Sequence, residues 1–506
     1  MITLFRSHIG ILKAKFRFPV AFLRKQCTGD KIGTNSDVTP VLALRSKATG
    51  PEGKIVHERS ECLSWNTIFS HKDAQEFIAK QLGQLLSKVE VVGTLNKILR
   101  FELPCEPLNL LNWLNNQRLE HKFYWSSRES DLEVAGVGLA DCIKGNGDVD
   151  FKQIFEHIEE RLSERNPHLR YYGGIEFNSR AYHFFIPRFE VLRVGEEWLF
   201  ALNISFEDIK EFEIKRTLEE LQNLNFTSQE LPSEMPQNMG QKSDPERQEW
   251  EKIFNQAKQY IEERTLQKIV LARKTTYEFA GPLNPWIILN SLKEKTPQCF
   301  HFCLMPDSQT AFLGASPERL YRREGVNLET EALAGTKSRG ENTFEDEQRG
   351  KDLLSSPKDK QEHFFVVKFI NETLQKICSC VNQDKGPKLL KQNAGYHLLT
   401  GFQGILNLNV DDAAILSVLH PTPAVGGYPQ ENALRLIQEL EPFERGWYAG
   451  AMGFVGQETA EFCVAIRSGV ISDNKLSLFA GAGIVSESTA DEEWEEIEAK
   501  IRSFGI

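Results

Sequence analysis

Hydrophobic and polar positions along the chain switch between helical spacing and strand alternation, and their order predicts a mixed architecture. Gln75–Lys88 has the spacing of a helix and Val91–Phe101 that of a strand. Phe151–Arg165 is an amphipathic helix, whereas Arg170–Phe177 and Trp198–Ile204 alternate as strands. Thr227–Pro245 is rich in Ser, Gln, Asn and Pro and poor in apolar residues, so it reads as a linker. Helix resumes at Asp244–Glu263, with Pro245 near a first-turn position. Strands follow at Lys268–Tyr277 and Thr310–Gly314, and long helices at Lys358–Cys378 and Thr489–Phe504. The pattern predicts an α+β fold with helices outside the sheets rather than a regular βαβ alternation.

Composition adds exclusions. The 506 residues are 41% hydrophobic and 26% charged, as in ordinary globular proteins, and their length allows one large domain or several small ones. A net charge of -11 argues against nucleic acid as the main partner, which needs a basic field. An anionic ligand must then be met by local cations, a metal or backbone donors. No apolar run approaches a membrane span. The nine cysteines form no Cys-x-x-Cys, which points to a reducing compartment and no zinc site.

Met1–Thr28 contains no acid, and Arg6, Lys13, Lys15, Arg17, Arg24 and Lys25 interrupt its apolar residues. That start has two readings: an organelle transit peptide, or an extended start with mobile first turns. The second implies a cytoplasmic protein, the first an organellar one.

Several residues can carry chemistry. Lys268 opens an apolar strand, on the same face as Val270 and Ala272, and a lysine withdrawn from water there can act as a general base. Alone, it also reads as a strand-end lysine reaching solvent. Gly314-Ala-Ser-Pro-Glu-Arg-Leu320 turns the chain after a strand and presents Glu318, an acid that complements Lys268. Asp359 and Glu362 share a helix face, as do Glu493, Glu496 and Lys500. Hard oxygen ligands from two helices suit Mg²⁺, although the second set also reads as a surface ion pair and a helix-dipole complement. The glycine-rich Ala332-Leu-Ala-Gly-Thr-Lys and Phe479-Ala-Gly-Ala-Gly-Ile484 can bring backbone N–H groups to an anion, and neither fits a nucleotide fingerprint. Arg467 ends the strand Glu461-Phe-Cys-Val-Ala-Ile-Arg467 with a fork suited to a carboxylate, and Tyr448 can add a hydroxyl.

The order of these segments carries more than any one of them. KIVLAR, GASPERL, EALAGT, KDKQEH, HPTPAVGG, GWYAGAMGF, EFCVAIRS and LFAGAG followed by EWEEIEAK resemble the chorismate-utilising enzymes, the fold family of anthranilate synthase component I, in which large β-sheets pack together with helices outside. The likeness runs from about Pro245 to the C-terminus, with a weaker echo at Arg170–Phe177. It implies a catalytic region at 245–506, a divergent part of the same fold at 71–240 and an N-terminal extension at 1–70. It also implies Lys268 as the base that activates water against C2 of chorismate, and Glu318 as the acid that protonates the departing C4 hydroxyl. Glu362 and Glu496 become Mg²⁺ ligands, with Asp359 and Glu493 behind them. Arg467, Lys500, Tyr448, Gly481, Gly483, Gly335, Thr336 and His420 become substrate-binding positions.

Ala334 stands where aminodeoxychorismate synthases carry a nucleophilic lysine, which leaves room for water. The Glu331–Thr336 and His420–Gly427 stretches are of the isochorismate-forming type of the menaquinone and siderophore routes rather than the anthranilate type. The implied reaction is conversion of chorismate to isochorismate. The alternative is salicylate formation, in which the same site then eliminates pyruvate. No glutaminase segment is evident, so no glutaminase partner is expected, and a monomer is.

Overall fold

The computed structural model describes residues 68–86, 98–147, 149–163, 166–205, 210–227, 229–393 and 395–505. The amphipathic start, most of the 1–70 extension and the first part of the strand expected at Val91–Phe101 lie outside them. In chain order the elements begin with α1 (His71–Leu86), β1 (Ile98–Pro104), α2 (Leu110–Asn116), β2 (Lys122–Ser126), β3 (Leu132–Asn146), α3 (Phe151–Arg161), β4 (Arg170–Ile175), β5 (Ala181–Val194), β6 (Glu197–Ser205) and α4 (Glu211–Gln222). They continue with β7 (Asn238–Asp244), α5 (Arg247–Glu262), β8 (Lys268–Phe279), α6 (Pro285–Lys295), β9 (Phe300–Met305), β10 (Thr310–Ser316), β11 (Arg319–Glu324), β12 (Asn327–Lys337), α7 (Thr343–Ser355) and α8 (Pro357–Ile377). The last are β13 (Cys378–Gln383), β14 (Lys388–Lys391), β15 (Tyr396–Leu406), α9 (Asp412–Leu419), β16 (Gly427–Tyr428), α10 (Gln430–Leu440), β17 (Ala451–Gly456), β18 (Thr459–Val464), β19 (Ser468–Ser472), β20 (Lys475–Ile484) and α11 (Ala490–Arg502).

The long strand β5 is the branch point of an antiparallel α+β architecture. On one side the pairing runs β5–β3–β2–β9–β10–β19–β20–β8, with β7 and β16 on β8. On the other it runs β5–β4–β17–β18–β11–β12–β15, with β13 and β14 on β15. Strands from before residue 240 therefore pair directly with strands from after it, as β2 does with β9 and β4 with β17. Between the two arms Phe123, Trp125, Tyr172, Phe185, Phe302, Phe312 and Phe454 form a buried, strand-only apolar core. Helices cover the outer faces, where the larger core lies.

Local signals set the helices that matter to function. Ser356 caps α8 by accepting the Asp359 N–H at 3.2 Å, and Pro357 fills its first position. Thr489 caps α11 by accepting the Glu492 N–H at 3.4 Å.

The linker expected at Thr227–Pro245 is corrected in part, because its second half is strand β7, hydrogen-bonded along β8. Its residues are mostly exposed, so they carry no apolar alternation; main-chain pairing at a sheet edge holds them. Among the described residues no helix is long and apolar enough to cross a membrane.

Candidate active site

The chain crosses between the two arms at Pro317–Glu318, from β10 to β11, and again at Ala465–Arg467, from β18 to β19. The crossings lie side by side. Val464 N–H donates to the Glu318 carbonyl at 3.1 Å, Ala315 N–H donates to that of Arg467 at 3.0 Å, and Ser316 Oγ donates to Val464 at 2.6 Å. This stitch delivers Glu318 and Arg467 to one place. Arg467 adopts φ 50°, a left-handed conformation that is uncommon for a side-chain-bearing residue and often marks a functional turn.

Lys268, the first residue of β8, is fully buried, and its Nζ lies 3.1 Å from Glu362 Oε1 without the alignment of a hydrogen bond. Glu362 hangs from α8, which packs on β12 and β15. Burial pushes the Glu318 carboxyl up to about 8, with the Glu331 charge adding to it and Lys268 and Lys500 pulling the other way. A buried amine and a buried, proton-holding carboxyl thus sit within electrostatic reach of one another, as a base and an acid acting on one molecule must.

Gly483 on β20 makes the close approach possible. A Cβ there would lie 2.1 Å from Glu362 Oε1 and 3.1 Å from Lys268 Cε. At Gly335, φ 77° falls in the left-handed region, and a Cβ would meet Asp359 at 3.2 Å. At Gly481 a Cβ would meet the Tyr448 hydroxyl at 3.2 Å, so that hydroxyl and the Gly481 backbone line the same wall. Lys500 donates to the Gly481 carbonyl and to Glu496 Oε1, both at 2.7 Å. Burial pushes the Glu496 carboxyl up, but Lys500, with Lys358 and Arg467 behind it, holds the group below its usual range. Its neighbour Glu493 is raised by burial and by Glu496.

The anionic cluster fits a hard divalent cation. Asp359, raised chiefly by burial, also feels Glu362 and Glu496, and Lys358 feels Glu493, Glu496 and Glu362, so two helices converge their carboxylates. Both Glu493 oxygens are buried without an aligned hydrogen bond, although Lys358 Nζ stands 2.6 Å from Oε1. Among the described residues no three His, Cys, Asp or Glu side chains form a closed metal cage. Mg²⁺ does not ask for one: it takes one or two carboxylates and fills its shell with water and substrate oxygens. Glu362 and Glu496 are carboxylates of this cluster, one on each helix.

His420 has its Nε2 3.2 Å from the Glu176 carbonyl and its Nδ1 buried without a partner, and burial lowers it to about 4. His397 on β15, missed in the sequence, stands closer to the chemistry. Its Nδ1 pairs with Thr336 Oγ1 at 3.0 Å, and burial, with Arg467 and Lys500 nearby, lowers it to about 3. Its Nε2 is buried without a partner. The only signal for it was a histidine in an alternating strand, indistinguishable from a core position.

The profile of the family described as "Chorismate binding enzyme" matches residues 84–505. Isochorismate synthase MenF of Haemophilus influenzae is 31% identical over 435 residues, covering 86% of this chain and 97% of that protein. The chloroplastic isochorismate synthase of Catharanthus roseus is 32% identical, over 75% of this chain and 69% of that protein. The solved structure of MenF, the menaquinone-specific isochorismate synthase from Escherichia coli, superposes with a TM-score of 0.75 at 30% identity, covering 85% of this chain and 99% of that one. Matched over nearly its whole described length, the chain belongs to the chorismate-binding enzyme family.

Proposed function

We propose that this chain is an isochorismate synthase that converts chorismate to isochorismate with Mg²⁺ as cofactor. The observation that carries the reading is a buried Lys268 beside Gly483 within electrostatic reach of a buried Glu318, with small Ala334 on β12. Alanine there offers no amine, so water is the nucleophile.

Lys268 takes a proton from water as its oxygen bonds to ring carbon C2. The two ring double bonds shift and the C4–O bond breaks. Glu318 gives its proton to the departing hydroxyl, which leaves as water. One water enters and one leaves, so the net change is isomerisation. Arg467, Lys500 and the backbone around Gly481 and Gly483 hold the enolpyruvyl carboxylate. Glu362 and Glu496 would hold a magnesium ion, which would supply positive charge for the ring carboxylate.

The reading is of a monomer that acts without a glutaminase subunit. The seven cysteines among the described residues are free, which fits a reducing compartment, cytoplasmic or organellar.

The test is product analysis with purified protein, chorismate and Mg²⁺. Isochorismate in equilibrium with chorismate is expected. Salicylate with pyruvate would replace the reading by the two-step one, and anthranilate formed with ammonium would overturn it.

A further inference from the structure

The geometry points to Arg128, in the turn between β2 and β3, as a positioning residue for the general acid: directly on one side and through Glu331 on the other it fixes the backbone around Glu318, and it balances the charge beside it. The inference rests on the acid role given to Glu318 above.

Glu318 sits on a crossing that belongs to neither flanking strand, so regular ladder bonds do not determine where its side chain points. Side chains hold its peptide groups instead. Arg128 Nη1 donates to the Pro317 carbonyl at 2.9 Å, and Arg319 N–H donates to Glu331 Oε1 at 2.9 Å. Arg128 and Glu331 are themselves locked by a two-pronged pair, Nη1 to Oε1 at 2.6 Å and Nη2 to Oε2 at 2.9 Å. One Arg–Glu pair therefore grips the residue before the acid and the residue after it. The remaining groups of Glu318 itself are met by Ser316 Oγ and the Val464 N–H.

The turn that presents Arg128 is rigid. Ser127 N–H donates to Leu132 and Ser130 N–H donates to Ser127, at 2.9 and 3.0 Å, and the guanidinium lies 5.6 Å from the centre of the Phe300 ring. Glu331 is one residue from β12's alanine–leucine run and is the acid whose charge reaches Glu318. Lys268 and Lys500 face Glu318 from β8 and α11. Around the pair stand Glu129 of the same turn, Arg319 of β11 and Glu461 of β18, with Arg319 bonded to both acids. Arg128 thus has two separable effects, a geometric one through its fork and an electrostatic one through its charge on Glu331. Lysine keeps the charge and loses the fork.

The test compares full-length Arg128→Lys, Arg128→Gln and Glu331→Gln with wild type, measuring kcat, KM for chorismate, magnesium dependence and the pH profile. For Arg128→Lys, kcat should fall about 10- to 100-fold with KM within a few-fold and the alkaline limb unmoved. Arg128→Gln should lose at least as much and move that limb to higher pH, because an unbalanced Glu331 holds the Glu318 proton more tightly. Glu331→Gln should move it to lower pH. Wild-type kcat and an unmoved limb in all three variants would overturn the inference. So would losses that follow thermal unfolding alone, with no opposite movement of the limb between the two glutamine variants. An inactive wild type would instead refute the acid role on which the inference rests.

Discussion

Replacing Gly483 with alanine perturbs the site by one carbon. That carbon would stand 2.1 Å from Glu362 Oε1, 2.7 Å from its Cδ and 3.1 Å from Lys268 Cε. An unstrained contact is about 3.5 Å, so the carboxylate must retreat by more than about 1 Å. It cannot do so and keep both its place opposite Lys268 and its convergence with Glu496. Overpacking of this kind costs roughly 1–3 kcal/mol of stability. A 1 Å displacement at a reacting centre costs on the order of 100-fold in rate, or about 2.7 kcal/mol of barrier. The assay is initial rate at saturating chorismate across a magnesium titration, with thermal unfolding in parallel. Gly483→Ala should lose about 100-fold in kcat and need at least about 10-fold more magnesium. Gly481→Ala should lose less, since its Cβ comes no nearer than 3.1 Å to any atom. A Gly483→Ala enzyme with wild-type rate at wild-type magnesium would refute the reasoning.

Lys268→Ala should remove at least about 100-fold of turnover while the protein stays folded, because the amine is a base and β16 pairs with the strand backbone through Tyr428; substantial residual rate with normal chorismate affinity would sink that role. Glu318 holds its proton up to about pH 8, against an ordinary value of 4.5, so activity should decline as pH rises through about 8. The same carboxyl is ionised in the unfolded chain above about 4.5, so stability should fall as pH rises across that window, and Glu318→Gln should flatten that fall in a thermal-unfolding series. Glu362→Gln and Glu496→Gln should each raise the magnesium needed for half-maximal rate, and a wild-type enzyme indifferent to a chelator would contradict the metal assignment.

Much of this was legible in the sequence because strand and helix periods place side chains directly. Lys268 at a strand start, and Asp359 with Glu362 and Glu493 with Glu496 on single helix faces, follow from spacing, but only the order of the motifs joined them with the glycines of β20 into one site. The long-range pairing was not legible. Nothing local tells that β10 and β18 both end at arm crossings, which is what sets Glu318 beside Arg467. Arg128 looks like any turn arginine until its partner, Glu331, is brought to it from β12. Strand β7 was missed because an exposed edge strand needs only main-chain partners, and edge pairing leaves no hydrophobic signature. His397 was missed for a related reason: periodicity cannot tell a buried histidine beside Thr336 from an ordinary core position.

The central claim is that water activated by Lys268 attacks the ring while Glu318 releases the old hydroxyl, and it predicts where the product oxygen comes from. The protein is incubated with chorismate and magnesium in oxygen-18 water, and isochorismate is analysed by mass spectrometry before equilibrium is reached. One heavy oxygen per isochorismate is expected, in the new ring hydroxyl. Unlabelled isochorismate, which would mean that the original hydroxyl migrates within the molecule, would contradict it.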